Sequence, residues 1–225
     1  MEIIAEGLEF PEGPVLLPDG SLLVVEIKGE RLTRIRPGKR PEVVAAIKGG
    51  PNGAALGPDG ALYVCNNGGF EWREVMGQTI SGDAAPDYRG GSIARVDLAP
   101  GKVETLYTHC DGHPLKGPND LVFDSTGGFW FTDHGKSWGR MRDYGGVYYA
   151  KPDGSKIVEA AYPMYSTNGV GLSPAGKTLY AAETMTSRLW AFDIESPGVL
   201  APSPLPIPGR NVTTLPGQQL LDSLD

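Results

Sequence analysis

The chain has 225 residues, 40% of them hydrophobic, which is enough to bury a core within one domain and argues against a disordered segment. Its formal net charge of −7, with lysines and arginines interspersed among acids, argues against nucleic acid as a partner. No run of about 18 apolar residues occurs, so a membrane-spanning helix and a membrane partner are not expected.

The amino-terminal residues Met1 to Glu6 lack the basic flank and apolar run of a secretory signal. The two cysteines, Cys65 and Cys110, lack the spacing of metal ligands, and we expect both to be reduced thiols in the core. These features together predict a cytoplasmic protein.

Glycine and proline account for 52 residues (32 and 20), about twice their usual share, which predicts a fold with many tight turns. The first unit contains three predicted strands, 13–17, 21–26 and 31–36, with Gly, Pro or Asp in every gap. No window carries a sustained apolar period of 3.6 residues at helical length. The sequence therefore predicts an all-β fold.

Three further units follow the same pattern. The second has predicted strands at 61–66 and 91–97, and we expect 68–90 to be an irregular loop over one face. In the third, a short apolar strand and the strand 129–133 precede the strand 146–150, with a loop at 135–145. The fourth has strands at 177–183 and 188–193. Phe129, Trp130 and Phe131 are predicted to pack between units.

One polar side chain stands six residues ahead of a turn in each unit. These side chains are Glu12, Asn52, Asn119 and Asn168, which precede the turns 18–20, 58–60, 125–127 and 174–176. Their spacings are 40, 67 and 49 residues, and without the two long loops the repeat is about 40 residues, the span of a four-stranded blade. The sequence therefore predicts a β-propeller, with residues 1–225 forming a single domain.

Residues placed identically in successive blades lie on a ring around the propeller axis. Asp222, in a segment that reads as the start of another inner strand, is a natural fifth member of this ring. Carboxylate and amide oxygens suit a hard divalent cation. The alternative is that each asparagine only caps its own turn through local hydrogen bonds.

Several of these segments, taken in order, resemble the gluconolactonase/regucalcin family of six-bladed β-propellers. They are Phe10-Pro11-Glu12-Gly13-Pro14, Gly117-Pro118-Asn119-Asp120-Leu121, Ser166-Thr167-Asn168-Gly169, Leu179-Tyr180-Ala181-Ala182-Glu183-Thr184 and Asp222-Ser223-Leu224. The resemblance implies a metal-dependent lactonase, a hydrolase with one divalent ion on the axis and a small-molecule lactone as substrate. The expected ion is Ca²⁺, with Mg²⁺, Mn²⁺ and Zn²⁺ as alternatives.

The resemblance also implies roles for individual residues. It gives Glu12, Asn168 and Asp222 as metal ligands, Asp222 as the general base, and Asn119 as a catalytic residue that contacts metal and substrate. We expect Asn52, His134 and Arg140 to be further substrate contacts, and His134 is a second candidate base.

By the length of the repeat, the chain covers about four of six blades and the start of a fifth, so we expect a propeller that is incomplete at its carboxyl end. Two other functions stay open at this point. One is a non-catalytic propeller that binds Ca²⁺ or a partner, and the other is a hydrolase of phosphoesters or of a cyclic diketone on the same site.

Overall fold

A computed structural model describes residues 3–202 and 218–219, and every regular element in that part of the chain is a β-strand. The all-β prediction is confirmed. The same residues contain no helix that could cross a lipid bilayer.

The first two sheets come from the amino-terminal half of the chain. The first sheet consists of β1 (Pro11–Leu16), β2 (Leu22–Glu26), β3 (Arg31–Ile35) and β4 (Glu42–Ala46). The second begins with β5 (Pro51–Leu56) and β6 (Leu62–Asn66), is interrupted by a hairpin of β7 (Phe70–Val75) and β8 (Gln78–Ala84), and continues with β9 (Ser92–Asp97) and β10 (Lys102–Tyr107). A short ribbon of β11 (His109–Cys110) and β12 (His113–Pro114) follows.

The third and fourth sheets repeat this arrangement. The third contains β13 (Pro118–Phe123) and β14 (Phe129–Asp133), then a small ribbon of β15 (Ser137–Trp138) and β16 (Met141–Arg142), then β17 (Gly145–Ala150) and β18 (Ile157–Met164). The fourth contains β19 (Thr167–Leu172), β20 (Thr178–Glu183), β21 (Arg188–Ser196), β22 (Val199–Leu200) and β23 (Gln218–Gln219), with both β22 and β23 paired to β21.

The first four strands of each sheet form an antiparallel meander that pairs in chain order, and β23 is added beside β21 in the fourth sheet. The first strands, β1, β5, β13 and β19, contact one another in sequence, so they form the inner edge around a common axis. This is the arrangement of blades in a β-propeller. The total of six blades for a closed ring stays a prediction.

The core lies between neighbouring blades. One apolar cluster joins the first and second sheets, another joins the second and third, and a third joins the third and fourth. Adjacent residues of β14 serve different clusters because successive side chains of a strand point to opposite faces. Phe131 packs against Tyr63 and Cys65 of the second sheet, whereas Trp130 packs with Leu179 of the fourth. The predicted packing of the aromatic residues of β14 between blades is confirmed.

The segment 68–90 is not the irregular loop that we predicted. Most of it is the hairpin β7–β8, and only its ends are irregular. The strands of this hairpin are mostly exposed or half-buried, and their apolar alternation is the short run from Phe70 to Trp72, which is too brief to identify a strand in sequence. Cys65 and Cys110 are buried and unpaired with each other, as predicted.

Candidate active site

The polar residue predicted for each blade lies at a β-bulge of the inner strand. Pairing slips by one residue between Glu12 and Val15 in β1. The same slip follows Pro51 in β5, Pro118 in β13 and Thr167 in β19, which are the residues directly before the three asparagines. A bulge bends the strand and redirects the side chain at that point. The recurring bulge therefore gives the four side chains equivalent positions at the entry to each blade.

Backbone contacts hold neighbouring inner strands close together at this level. A Cβ atom on Gly13 would lie 2.8 Å from the carbonyl oxygen of Asn52, and one on Gly53 would collide with the carbonyl of Asn119. The hydroxyl of Thr132 donates to the carbonyl of Asn168. The residues that carry the ring side chains are thus in direct or near contact around the axis.

Glu12, Asn52, Asn119 and Asn168 all line one cavity of about 700 Å³ at the axial end of the blades. Sequence reasoning predicted this convergence from the common distance to the following turn. We call these four residues the oxygen ring. Asn52 is buried, the other two asparagines are half-buried, and Glu12 is exposed.

Within residues 3–202, the side-chain oxygens of the ring have no strong protein partners. The Asn168 amide donates through Nδ2 to Thr184 Oγ1 at 3.0 Å, which leaves its Oδ1 available, and among the same residues the Glu12 carboxylate accepts a hydrogen bond only from its neighbouring amide, Gly13 N–H, at 3.4 Å. Within residues 3–202, the amides of Asn52 and Asn119 have no side-chain hydrogen bond. None of the three asparagines caps its own turn, so the turn-capping alternative is wrong.

One carboxylate and three amide oxygens are the hard donors that Ca²⁺ and Mg²⁺ prefer. The chemistry of this donor set fits the predicted cation. In the described part of the chain, no three His, Cys, Asp or Glu side chains converge on a common point, so amide oxygens would supply most of the described ligands. Asp222, the third predicted ligand and the predicted general base, lies outside the described residues.

A second set of polar residues, which sequence reasoning missed, lies at the end of the second strand of each blade. These residues are Glu26, Asn66, Asp133 and Glu183, and all are at most 7% exposed. Each of them pairs with the residue directly before the ring residue of its blade. Each also follows that ring residue at a nearly constant distance in the chain, which is 14 positions in the first three blades and 15 in the fourth. That recurring spacing was the signal available in the sequence.

This second set positions the entry loops of the inner strands. Asp133 accepts hydrogen bonds from the backbone N–H groups of Lys116, Gly117 and Gly135 at 2.7 to 2.8 Å. Glu26 accepts from Glu9 N–H at 2.6 Å, and Glu183 accepts from Tyr165 N–H at the same distance. Burial raises the pKa of Asp133, and the three backbone donors oppose that rise. The set therefore fixes the backbone that carries the oxygen ring.

Two hairpins contribute further residues to the lining of the cavity. The hairpin β7–β8 contributes Phe70, Arg73 and Asp83, and the connection from β14 to β17 contributes Lys136 and Arg142. Asp83 Oδ2 accepts a hydrogen bond from Gly139 N–H at 2.9 Å, which joins the two hairpins. Their contact gives the cavity a wall made of residues far apart in the chain.

His134, predicted as a substrate contact or base, lines the cavity beside Arg142. The Arg142 Nη2 atom lies 2.9 Å from His134 Nδ1 and also donates to the His134 carbonyl at 2.9 Å. Burial, together with the positive charges of Arg142 and Lys136, lowers the pKa of His134 to about 4. The imidazole is therefore neutral near pH 7, and it is a weak base there.

Arg140, the other predicted substrate contact, is exposed on the ribbon β15–β16 and is not among the residues that line this cavity. Arg142, two residues further along, lines the cavity instead. The difference arises because Arg140 lies in the turn between the two strands of the ribbon, whereas Arg142 lies within the strand β16. The sequence contained both arginines without showing which of them faces inward.

Comparison with known families gives a match over most of the chain. The family model described as SMP-30/Gluconolactonase/LRE-like region matches residues 10–213. A curated relative from Staphylococcus saprophyticus subsp. saprophyticus, named Lactonase drp35, is 31% identical over 211 residues, which cover 92% of this chain and 58% of the relative. Lactonase drp35 of Staphylococcus haemolyticus is 32% identical over 217 residues with the same two coverages. The chain thus spans less than two thirds of the length of these relatives.

Solved structures resemble the chain in fold. A gluconolactonase from Xanthomonas campestris superimposes with a TM-score of 0.66 at 23% sequence identity, over 88% of this chain and 62% of that one. A protein described as a putative gluconolactonase gives the same TM-score at 19% identity, over 88% and 63% of the two chains. At these identities the likeness supports the propeller fold alone.

Proposed function

The chain belongs to the SMP-30/gluconolactonase/LRE-like family, and from that membership we propose that its axial cavity hydrolyses a lactone with the help of a divalent cation. The observation that carries this proposal is the convergence of Glu12, Asn52, Asn119 and Asn168 on one cavity. The names of the curated relatives, each a lactonase, support the same reaction class.

The oxygen ring is the part of the cavity that we propose for the cation. Glu12 and Asn168 would hold it, with Asp222 as a third ligand on the basis of the family resemblance. When bound, a divalent cation polarises a carbonyl group and lowers the pKa of a water molecule. Ca²⁺ is the ion that we expect first, because amide and carboxylate oxygens make up the described donor set.

The remaining residues of the ring would act on the substrate directly. The Asn119 amide N–H, which has no side-chain hydrogen bond within residues 3–202, would donate to the carbonyl oxygen of the ester as negative charge develops there. Removal of one such donor typically costs about 10²- to 10³-fold in kcat. Asn52, buried next to it, would orient the ring of the substrate.

Hydrolysis requires a proton acceptor for the attacking water, and we propose Asp222 for this role. Water adds to the carbonyl carbon, the bond from that carbon to the ring oxygen breaks, and the ring oxygen takes up a proton to give a hydroxy acid. Burial and the two neighbouring cations lower the pKa of His134 to about 4, so its imidazole is neutral near pH 7. Its Nδ1 atom lies 2.9 Å from the donor Arg142 Nη2, so this nitrogen already has a hydrogen-bond partner. We therefore assign His134 to contact with the substrate and not to proton abstraction.

The experiment is a turnover assay that uses a panel of aldonolactones, with acid release followed by a pH indicator. Activity should disappear with EDTA and return with one of Ca²⁺, Mg²⁺, Mn²⁺ or Zn²⁺. Calorimetric titration with the same ions gives a second readout, in which Glu12→Gln should weaken binding by about tenfold or more, a loss of about 1.4 kcal/mol. The control is Glu195→Gln, an exposed carboxylate of β21 outside the cavity.

Three outcomes distinguish the alternatives. Cation binding at Glu12 without turnover of any lactone would favour a non-catalytic propeller. Turnover of a phosphoester or a cyclic diketone without turnover of lactones would support the same catalytic site with a different class of substrate. Lactone turnover that persists in EDTA would contradict the metal-dependent mechanism.

A further inference from the structure

The lining of the cavity also includes two cationic side chains on the connection between β14 and β17. Lys136 is only 1% exposed and still lines the cavity, and Arg142 lines it from a half-buried position. We call this pair the cationic wall. Placing positive charge in such a position costs free energy unless a partner compensates for it.

The protein partners of the cationic wall are neutral groups. Lys136 Nζ donates to the Gly69 carbonyl at 2.6 Å and to Asn67 Oδ1 at 3.1 Å, and it lies 3.6 Å from the centre of the Phe70 ring. Arg142 Nη1 donates to Ser137 Oγ at 2.6 Å, and its Nη2 contacts His134. Within residues 3–202, neither cation forms an ion pair with a carboxylate.

The carboxylates near the wall are bound to other groups. Asp133 accepts from three backbone N–H groups, and Asp83 accepts from Gly139 N–H. Asp143, which follows Arg142 in the chain, lies 3.7 Å from Lys116 Nζ. In the described part of the chain, none of these three carboxylates forms an ion pair with the wall, although the charge of Asp133 acts to raise the pKa of Lys136.

Burial is the main cause of the pKa shifts at the wall, and its positive charge adds to them. Burial lowers the pKa of Lys136 to about 7, with Asp133 opposing the shift and Arg142 adding to it. Burial is also the largest cause of the lowered pKa of His134, and the charges of Arg142 and Lys136 lower it further. In addition, Arg142 Nε is buried without a hydrogen-bond partner in the described part of the chain, so the wall has an unused donor.

We propose that the cationic wall is an anion subsite, and that the substrate is therefore a lactone that carries a carboxylate or phosphate group in addition to its cyclic ester. The inference rests on the proposed function, because it assumes that the ester lies at the oxygen ring. The cavity of about 700 Å³ lies within the usual range for small-molecule sites, so both ends of a sugar-sized ligand can be bound.

The first experiment compares kcat/KM for three lactones: the neutral D-glucono-1,5-lactone, the carboxylate D-glucaro-1,4-lactone, and the phosphate 6-phospho-D-gluconolactone. We expect at least one charged lactone to exceed the neutral one by about tenfold or more. The two charged substrates separate a carboxylate from a phosphate specificity. Equal or better turnover of the neutral lactone would overturn the anion subsite and leave the lactonase proposal intact.

Variants test whether the preference for charged lactones depends on the cationic wall. Arg142→Gln should reduce the ratio of charged to neutral kcat/KM by about tenfold, and Arg142→Lys should restore part of it. Arg140→Gln is the matched control, because this arginine is exposed on the same ribbon outside the cavity, and it should keep the wild-type ratio. A ratio that Arg142→Gln leaves unchanged would contradict the proposal.

A second experiment is independent of turnover. Glucarate and the uncharged glucitol are titrated calorimetrically into metal-free protein, so that the wall and not a cation accounts for anion binding. Glucarate should bind more tightly, its affinity should fall with added salt, and Arg142→Gln should weaken it by about tenfold. Equal binding of the two compounds would overturn the anion subsite, whereas preferential binding of glucarate without lactone turnover would contradict only the proposed reaction.

Discussion

Single glycines decide how closely the inner strands approach the axis. A glycine follows the ring residue in three of the four blades, at Gly13, Gly53 and Gly169. The positions are not equivalent, because a Cβ atom on Gly53 would overlap the Asn119 carbonyl and the Asp120 Cα, whereas nothing closer than 3.9 Å faces Gly169. The steric requirement is thus strongest between the second and third blades.

Gly53→Ala should therefore destabilise the protein by about 1 to 3 kcal/mol, the usual cost of overpacking against backbone that cannot move away. The measurement is the midpoint of urea unfolding. Gly171→Ala is the matched control, because Gly171 lies on the inner strand of the fourth blade and a Cβ atom there meets nothing within 4 Å. Equal effects of the two substitutions would contradict the steric explanation.

His134 should make stability depend on pH in the acid range. Its pKa is lowered from 6.5 to about 4 in the folded state, first by burial and then by Arg142 and Lys136. On acidification the unfolded chain binds the proton first, so stability is lost as pH falls from about 6.5 to about 4, by up to about 3 kcal/mol.

The check is thermal unfolding at several pH values between 7 and 4. His134→Gln should lose less stability over this interval than the wild type does. His113→Gln, at an exposed histidine of β12, should follow the wild type. Parallel curves for wild type and His134→Gln would contradict the expected contribution of His134.

At the level of elements, the entry loop of each blade is attached to the end of its own second strand. In the third blade, Asp133 at the end of β14 binds three backbone N–H groups, two from the residues before β13 and one from the residue after His134. One carboxylate therefore joins the turn that carries Asn119 to the connection that carries Lys136 and Arg142.

Asp133→Asn should destabilise the protein by about 1 to 3 kcal/mol, because an amide nitrogen replaces an acceptor oxygen and leaves a backbone donor unsatisfied. Urea unfolding measures the loss. Asp193→Asn, at an exposed position of β21, should change stability by less than about 0.5 kcal/mol. A loss no greater for Asp133→Asn than for this control would show that the entry loop is held by other contacts.

At the level of the whole molecule, stability comes from contacts between blades, since each apolar cluster joins two neighbouring sheets. Trp130 is fully buried between the third and fourth blades and lies 4.9 Å, centre to centre, from the ring of Tyr149. We therefore expect neighbouring blades to unfold together.

Trp130→Ala should cost about 3 to 5 kcal/mol, the range for removing a large aromatic side chain from a core. Chemical unfolding measures the cost, and Met141→Ala, at a side chain that is 70% exposed, is the control for a hydrophobic residue outside the core. A loss below about 1 kcal/mol for Trp130→Ala would contradict the role of this interface.

The sequence by itself determined the strands that flank the repeated turns, the blade repeat and the oxygen ring. Turn residues and alternating apolar residues are local signals, and four units with the same local pattern place their polar residues equivalently around an axis. That argument predicted Glu12, Asn52, Asn119 and Asn168 as neighbours before any coordinate was considered. The buried polar set at the ends of the second strands, from Glu26 in the first blade to Glu183 in the fourth, recurs at an equally regular spacing, and sequence reasoning missed it.

Only the tertiary structure decided which residues complete the lining of the cavity. The hairpin β7–β8 has only a short apolar alternation, at Phe70 and Trp72, and the choice between Arg140 and Arg142 depends on which of them lies in the turn of a short ribbon. Lys136 is buried because it meets Asn67 and Gly69, which are 69 and 67 residues away in the chain. Such partners are chosen by the packing of one blade against another, which no local pattern encodes.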